Sequence, residues 1–154
     1  MLGMTENHGR SQGEASELEV AVHLLENHFR ISQTFGHSHP YDLIVDDGGE
    51  LLKIQVKTAT SPGPGNQYQI KIDNEQEYDF NNVDLFAGNA PDVEVNDGVF
   101  FVPYPEMEKR ASVTFTPLED MGAEVNRERA NHISQYTFEE ALSRVQEYEV
   151  ENEE

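Results

Sequence analysis

The stretch from Tyr41 to Thr58 constrains the fold more than any other part of the chain. Two apolar runs, Asp42-Leu-Ile-Val45 and Leu51-Leu-Lys-Ile-Gln-Val56, flank Asp46-Asp47-Gly48-Gly49. Gly and Asp tolerate the backbone angles that tight turns demand, so the segment predicts a β-hairpin. With Gly48 and Gly49 at the centre of the turn, Val45 faces Leu52, Leu43 faces Ile54 and Asp42 faces Gln55. Side chains alternate along a strand. Leu43, Val45, Leu52, Ile54 and Val56 then share one wholly apolar face, which belongs to a core. Asp42, Ile44, Lys53, Gln55 and Lys57 share the other. A turn centred on Asp47-Gly48 would instead pair Asp42 with Lys53.

The flanking sequence supplies helices and further strands. A helix is expected from Gly13 or Glu14 to about Phe29. Val20, Leu24, Ala21, Leu25, Leu18, Phe29 and Val22 fill a broad apolar arc, and Ser16, Glu19, His23, Glu26 and Asn27 lie opposite. Glu14 and Glu17 fall inside the arc, where a carboxylate must reach solvent or meet a cation. Short strands are expected near Ile31–Phe35, Tyr68–Ile72, Val83–Phe86, Gly98–Val102 and Val113–Phe115, with a polar loop over Gly88–Asp97. Thr137-Phe-Glu-Glu140 has capping-box spacing and predicts a helix from Phe138 to about Tyr148, and 120–135 is a candidate for a short helix. Residues 1–12 are expected to be disordered, 13–148 to form a single domain, and the acidic tail 149–154 to be frayed, with fraying already from Glu147. The class is α/β, a mixed β-sheet flanked by helices.

Composition narrows the setting. The chain has 154 residues and no cysteine, so disulfides and thiolate–metal sites are excluded. No apolar run approaches the roughly 20 residues of a membrane span, and Met1–Gly13 lacks a secretory hydrophobic region. A cytoplasmic protein is expected. Thirty acidic residues against ten basic ones give a net charge of −20. Acidity spread along a chain with few lysines resembles proteins of extreme halophiles. At molar salt the Debye length is only about 3 Å, so self-repulsion is screened. The alternative is an acidic interaction protein from a low-salt cell.

An aspartate followed by Gln55-Val56-Lys57 resembles the core of the PD-(D/E)XK nucleases, which pair an aspartate with a second oxygen ligand two residues before a lysine. Gly13-Glu-Ala-Ser-Glu17 resembles the first helix of the archaeal Holliday junction resolvases of that superfamily. The string Tyr41-Asp-Leu-Ile-Val45, then Gln55-Val-Lys-Thr58, is similar to the branch containing a group I intron homing endonuclease. So are Val83-Asp-Leu-Phe86 and Gly98-Val-Phe-Phe-Val-Pro103. The resemblance covers about residues 13–105 and implies a restriction-endonuclease-like core.

It also implies a metal-dependent endonuclease hydrolysing DNA phosphodiester bonds. By the resemblance, Asp42 and the Gln55 amide oxygen would bind Mg²⁺ or Mn²⁺, hard cations that prefer oxygen. The Val56 carbonyl would lie nearby, and Glu17 would reach the site from the helix. Lys57 would position or activate the attacking water and stabilise charge on the phosphate. A homodimer or higher homo-oligomer is implied, because cutting both strands needs two sites. The chain departs from the pattern twice. Tyr41, not Pro40, precedes the aspartate. Gln55 replaces the usual acid, which removes one negative charge and should weaken metal affinity.

Alternatives stand beside this reading. Glu14 rivals Glu17, since both lie in the apolar arc. Strand spacing would put His37 and His39 on one face, able to touch a metal or phosphate, but the preferred reading is two ordinary loop histidines. Ten basic residues cannot make a broad DNA-binding surface, which leaves a local patch from Lys53, Lys57, Lys71 and Arg30. The alternative function is a catalytically inactive relative that binds nucleic acid or protein. A third is a halophilic interaction domain whose acidic tail contacts a partner.

Overall fold

The computed structural model describes residues 8–36, 40–60, 68–71, 82–90, 93, 95–110, 112–115 and 136–153. Helix α1 (His8–Glu26) leads into β1 (Arg30–Gln33), β2 (Leu43–Asp46) and β3 (Leu51–Thr58). Then follow β4 (Tyr68–Lys71), β5 (Leu85–Asn89), a 3₁₀ turn (Val95–Gly98), β6 (Val99–Pro103), α2 (Tyr104–Arg110), β7 (Ser112–Phe115) and α3 (Phe138–Glu153). The main sheet has the order β1-β2-β3-β5-β6, and β4 pairs with β7 in a second, two-stranded sheet. Within the main sheet β3 and β5 run parallel and the other neighbours antiparallel. The mixed sheet packed against helices is the expected class.

The hairpin takes the register centred on Gly48 and Gly49. Leu43 pairs with Ile54 and Val45 with Leu52. Gly48 adopts φ +98°, a conformation that glycine enters without a Cβ penalty. The Asp47 carboxylate accepts the amides of Gly49 and Glu50 and ties the turn. The apolar hairpin face is buried as expected, in a core with Val20 and Leu24 of α1, Leu85, Ala87, Val99 and Phe101 of the sheet, and Phe138, Ala141 and Val145 of α3.

A second core lies around Phe86, Phe100 and Val102 of the sheet, with Ile70 of β4 and Met107 of α2. A backbone bridge between Thr60 and Gln69 joins the end of β3 to β4. Strands near Tyr68–Ile72 and Val113–Phe115 were expected from sequence, but neither their pairing with each other nor α2 was. β5 extends through Gly88 and Asn89, which the sequence reading gave to a polar loop.

Helix α1 departs most from expectation. It begins at His8, inside the segment expected to be disordered, and ends at Glu26, short of Phe29. At its end Phe29 donates to the Leu24 carbonyl while His28 takes φ 68°, which closes the last turn in a left-handed cap. Phe29 then packs edge-on against Phe138, ring centres 4.5 Å apart. The apolar arc is split. Val20 and Leu24 are buried together with Ser16 and His23, whereas Leu18, Val22 and Leu25 are exposed. A stripe of i, i+4, i+7, i+8 spacing faces the sheet, and the second apolar stripe lies on the far side of the helix. His23 is buried by a hydrogen bond from its Nδ1 position to Asp97 at 2.9 Å.

The capping box forms, with the Glu140 amide donating to Thr137 Oγ1 at 3.3 Å. Helix α3 continues to Glu153, through the tail expected to fray. The candidate helix at 120–135 lies outside the described residues. Among the described residues, no helix is long and apolar enough to cross a membrane.

Candidate active site

The site forms at the rim of the sheet where β2 begins and β3 ends. Asp42 stands one residue before β2, and its amide donates to the Ile54 carbonyl at 2.8 Å. The register, carried one residue further, sets Asp42 opposite Gln55. The Asp42 Oδ2 atom accepts the Val56 amide at 2.9 Å, so a side chain serves as acceptor to the β3 backbone beyond the last β2–β3 rung. Behind Asp42, its carbonyl accepts the amide and hydroxyl of Thr34.

Glu17 reaches the same point from α1. Its carboxyl lies close enough to that of Asp42 for the two to interact directly. Two carboxyls so placed resist being ionised together. Burial, the Asp42 charge, the hydrogen bond to Asp42 and the charge of Glu14 push Glu17 from 4.5 up to about 7. Asp42 is also raised above its ordinary value, chiefly by burial. The Val56 amide, the bond from Glu17 and the Lys57 charge oppose that shift. Both carboxyls are thus harder to ionise than ordinary ones, Glu17 through burial and the neighbouring Asp42. Of the two outcomes expected of a carboxylate in the apolar arc, reaching solvent or meeting a cation, neither is fully met: Glu17 is only partly exposed and lies beside another acid. Glu14 is exposed and acts on the pair through its charge.

Lys57 lies on β3, near enough for its ammonium to favour the charged form of Asp42. Gln55 is partly buried on the same strand face, and its Nε2 donates to the Val56 carbonyl at 3.4 Å. That contact is long and easily exchanged. The structure thus brings Glu17, Asp42 and Lys57 together and places Gln55 and Val56 beside them.

The remaining candidates lie elsewhere. Arg30 pairs in register with Asp46 at the turn end of the hairpin and lines a surface cavity of about 330 Å³ with His28, Phe29, Asp46, Asp47 and Gly48. Lys53 is four residues back along β3 from Lys57, about 13 Å at strand spacing. Its amide donates to buried Asp84 at 2.8 Å, and burial raises Asp84 above its ordinary value. Lys53, Lys57 and Arg30 therefore do not form one compact basic patch. His37 and His39 lie outside the described residues, as does the Lys71 side chain.

Among the described residues, no group of three or more histidine, aspartate and glutamate side chains is arranged to hold a metal ion. The oxygen donors present are two carboxylates, the Gln55 amide and the Val56 carbonyl. Two neighbouring carboxyls that resist joint ionisation are also a place where a cation relieves the repulsion, so this donor set fits a hard divalent ion.

Sequence reasoning missed three polar residues beside the site. Ser16 Oγ lies 2.6 Å from Thr58 Oγ1, and Asn89 Nδ2 donates to Ser16 Oγ at 3.5 Å. The helical wheel had set Ser16 on the solvent side. Nothing in residue type distinguishes a buried serine from an exposed one.

Comparison with known proteins follows this geometry. The family model described as PD-(D/E)XK endonuclease matches residues 7–139. A search of curated proteins found no significant match. Among solved structures, the bacterial homing endonuclease I-Ssp6803I aligns with a TM-score of 0.64 at 19% identity, over 92% of this chain and 94% of that one. At that identity the likeness concerns the fold.

Proposed function

The chain belongs to the PD-(D/E)XK endonuclease family, and from that premise we propose that it is a divalent-metal-dependent deoxyribonuclease working at high salt. The observation that carries this reading is the Glu17–Asp42 carboxyl pair beside Lys57 at the rim of the hairpin. Asp42, Glu17, the Gln55 amide oxygen and the Val56 carbonyl would hold Mg²⁺ or Mn²⁺. When bound, the ion lowers the pKa of water and neutralises charge on the phosphate. Asp42 is fixed by the Val56 amide, so its second oxygen is presented in a constant direction. Lys57 contributes a positive charge to the phosphate and orients the attacking water. Glu17 would serve as a ligand in its ionised form, which a bound cation would favour.

The net charge of −20 bears on the substrate. A duplex normally gains affinity through counterion release to basic side chains. In molar salt that gain is largely lost for any protein, and shape and hydrogen bonding carry more of the binding. Cutting both strands would require two copies, so a homodimer or higher homo-oligomer is part of the proposal.

Gln55 favours a second reading, that of a nuclease-fold protein that binds DNA without cutting it. The amide lacks the charge of the usual acid and bonds to its own strand. One assay separates the two: cleavage of plasmid, branched and single-stranded DNA in high KCl with Mg²⁺ or Mn²⁺. Cleavage lost in Asp42→Ala and Lys57→Ala, with circular dichroism unchanged, supports the nuclease. No cleavage by the wild type, and no calorimetric metal binding that depends on Asp42, supports the non-cutting relative.

A further inference from the structure

We propose that the part-buried Ser16–Thr58 hydroxyl contact, backed by Asn89, is a positioning element that sets Glu17 against Asp42. Ser16 immediately precedes Glu17 on α1, and Thr58 immediately follows Lys57 on β3. Their hydroxyls meet at 2.6 Å. Thr58 is in register with Asn89 of the parallel strand β5, and Asn89 donates to Ser16. One short contact therefore ties the helix to the sheet one residue from Glu17 and one residue from Lys57.

Apart from Glu17 itself and the His23–Asp97 hydrogen bond two turns further along α1, the helix–sheet contact is apolar. Val20 and Leu24 sit on an apolar bed, where a helix can slide or roll slightly at little cost. A hydroxyl pair is sensitive to distance and angle, so it fixes rotation and height together. Ser16 and Asn89 are each only 2% exposed. Asn89 Oδ1 is buried with no hydrogen-bond partner among the described residues. An apolar residue at 89 would avoid that unsatisfied acceptor. Packing alone does not account for a polar cluster kept here at such a cost. Precise seating of the neighbouring carboxyl does.

This inference rests on the nuclease reading. The test compares wild type with Ser16→Ala, Thr58→Val, Thr58→Ser, Glu17→Gln and the Thr58→Val/Glu17→Gln double variant. The readouts are kcat and KM on DNA with Mn²⁺, calorimetric Mn²⁺ affinity, and Tm. The expected result is a loss of about tenfold or more in kcat for Ser16→Ala and Thr58→Val, with KM within about twofold. Mn²⁺ affinity should weaken in both, and Thr58→Ser should restore both properties. In the Glu17→Gln background, Thr58→Val should cost nothing further in kcat, because nothing is left to position. Lower Tm with wild-type kcat and Mn²⁺ affinity overturns the inference and leaves the nuclease intact. Additive losses in the double variant overturn it too. Wild type that neither cuts DNA nor binds metal through Asp42 overturns the nuclease reading, and this inference with it. Should Thr58→Val fail to fold, Ser16→Ala decides the matter.

Discussion

Asp42 holds the Val56 amide at 2.9 Å with one carboxylate oxygen, so the same side chain completes the sheet and faces the site. The two roles separate by substitution. Asp42→Asn keeps an oxygen acceptor and removes the charge, whereas Asp42→Ala leaves the Val56 amide unpaired. In urea unfolding, Asp42→Ala should be less stable than Asp42→Asn by about 1–2 kcal/mol. Cleavage should fall at least about hundredfold in both. Equal stabilities would mean that the amide finds another acceptor.

The Glu17 proton gives stability a pH dependence of definite sign. In the metal-free protein Glu17 titrates at about 7 against an ordinary 4.5. Between those values the folded state binds more protons than the unfolded one, so stability falls as pH rises through this window. Glu17 is partly exposed, and with solvent screening the loss should be on the order of 1 kcal/mol. Calorimetric melting at pH 5.5 and 8, with chelator and high KCl, should show this slope, and Glu17→Gln should flatten it. An unchanged slope in the variant would show that the proton lies elsewhere.

Metal binding should follow the opposite pH course. Below about 7 the ion must displace the Glu17 proton, so Mn²⁺ affinity should rise between pH 6 and 8, with protons released. Titrations in two buffers of different ionisation enthalpy measure that release directly. Gln55→Glu should tighten Mn²⁺ binding by about tenfold or more through the added charge. It should also lower the Tm of the metal-free protein by placing a third carboxylate beside the pair. Affinity unchanged by Gln55→Glu would remove residue 55 from the ligand set.

Gly88 is in register with Lys57, and a Cβ there would come within 2.2 Å of the Phe100 ring. Phe100 is wholly buried and has no room to withdraw. Gly88→Ala should therefore destabilise by about 1–3 kcal/mol. Gly88→Ala with Phe100→Leu should recover part of that loss. A neutral Gly88→Ala would show that β5 shifts easily beside the site.

The hairpin and its register were legible because three signals agree there: a glycine turn, strict alternation and an apolar face. The same alternation places Asp42, Gln55 and Lys57 at one end, which is why the short motif could be recognised. The buried stripe of α1 was not legible, since Leu18, Val22 and Leu25 are as apolar as Val20 and Leu24. Only the sheet decides which stripe it covers. Helix α2 begins with Tyr104-Pro105, and so short a segment has too few turns to show a period. The parallel pairing of β3 with β5 depends on contacts remote in sequence, which local patterns do not encode. Helix periodicity set Glu17 in the apolar arc but could not name its neighbour; only the resemblance pointed it toward Asp42.

The parallel pairing also sets the order in which the parts of the site come into being. Strands β2 and β3 are joined by a turn, and hairpins close on the microsecond scale. Strand β5 must return from beyond β4 before Asn89 can stand beside Thr58, and non-local pairing of that kind is slow. In refolding, the hairpin is expected to bring Asp42, Gln55 and Lys57 into register before the ties to the helix are complete. The meeting of Glu17 with Asp42 is thus a late event, and recovery of activity should lag behind the appearance of β-structure.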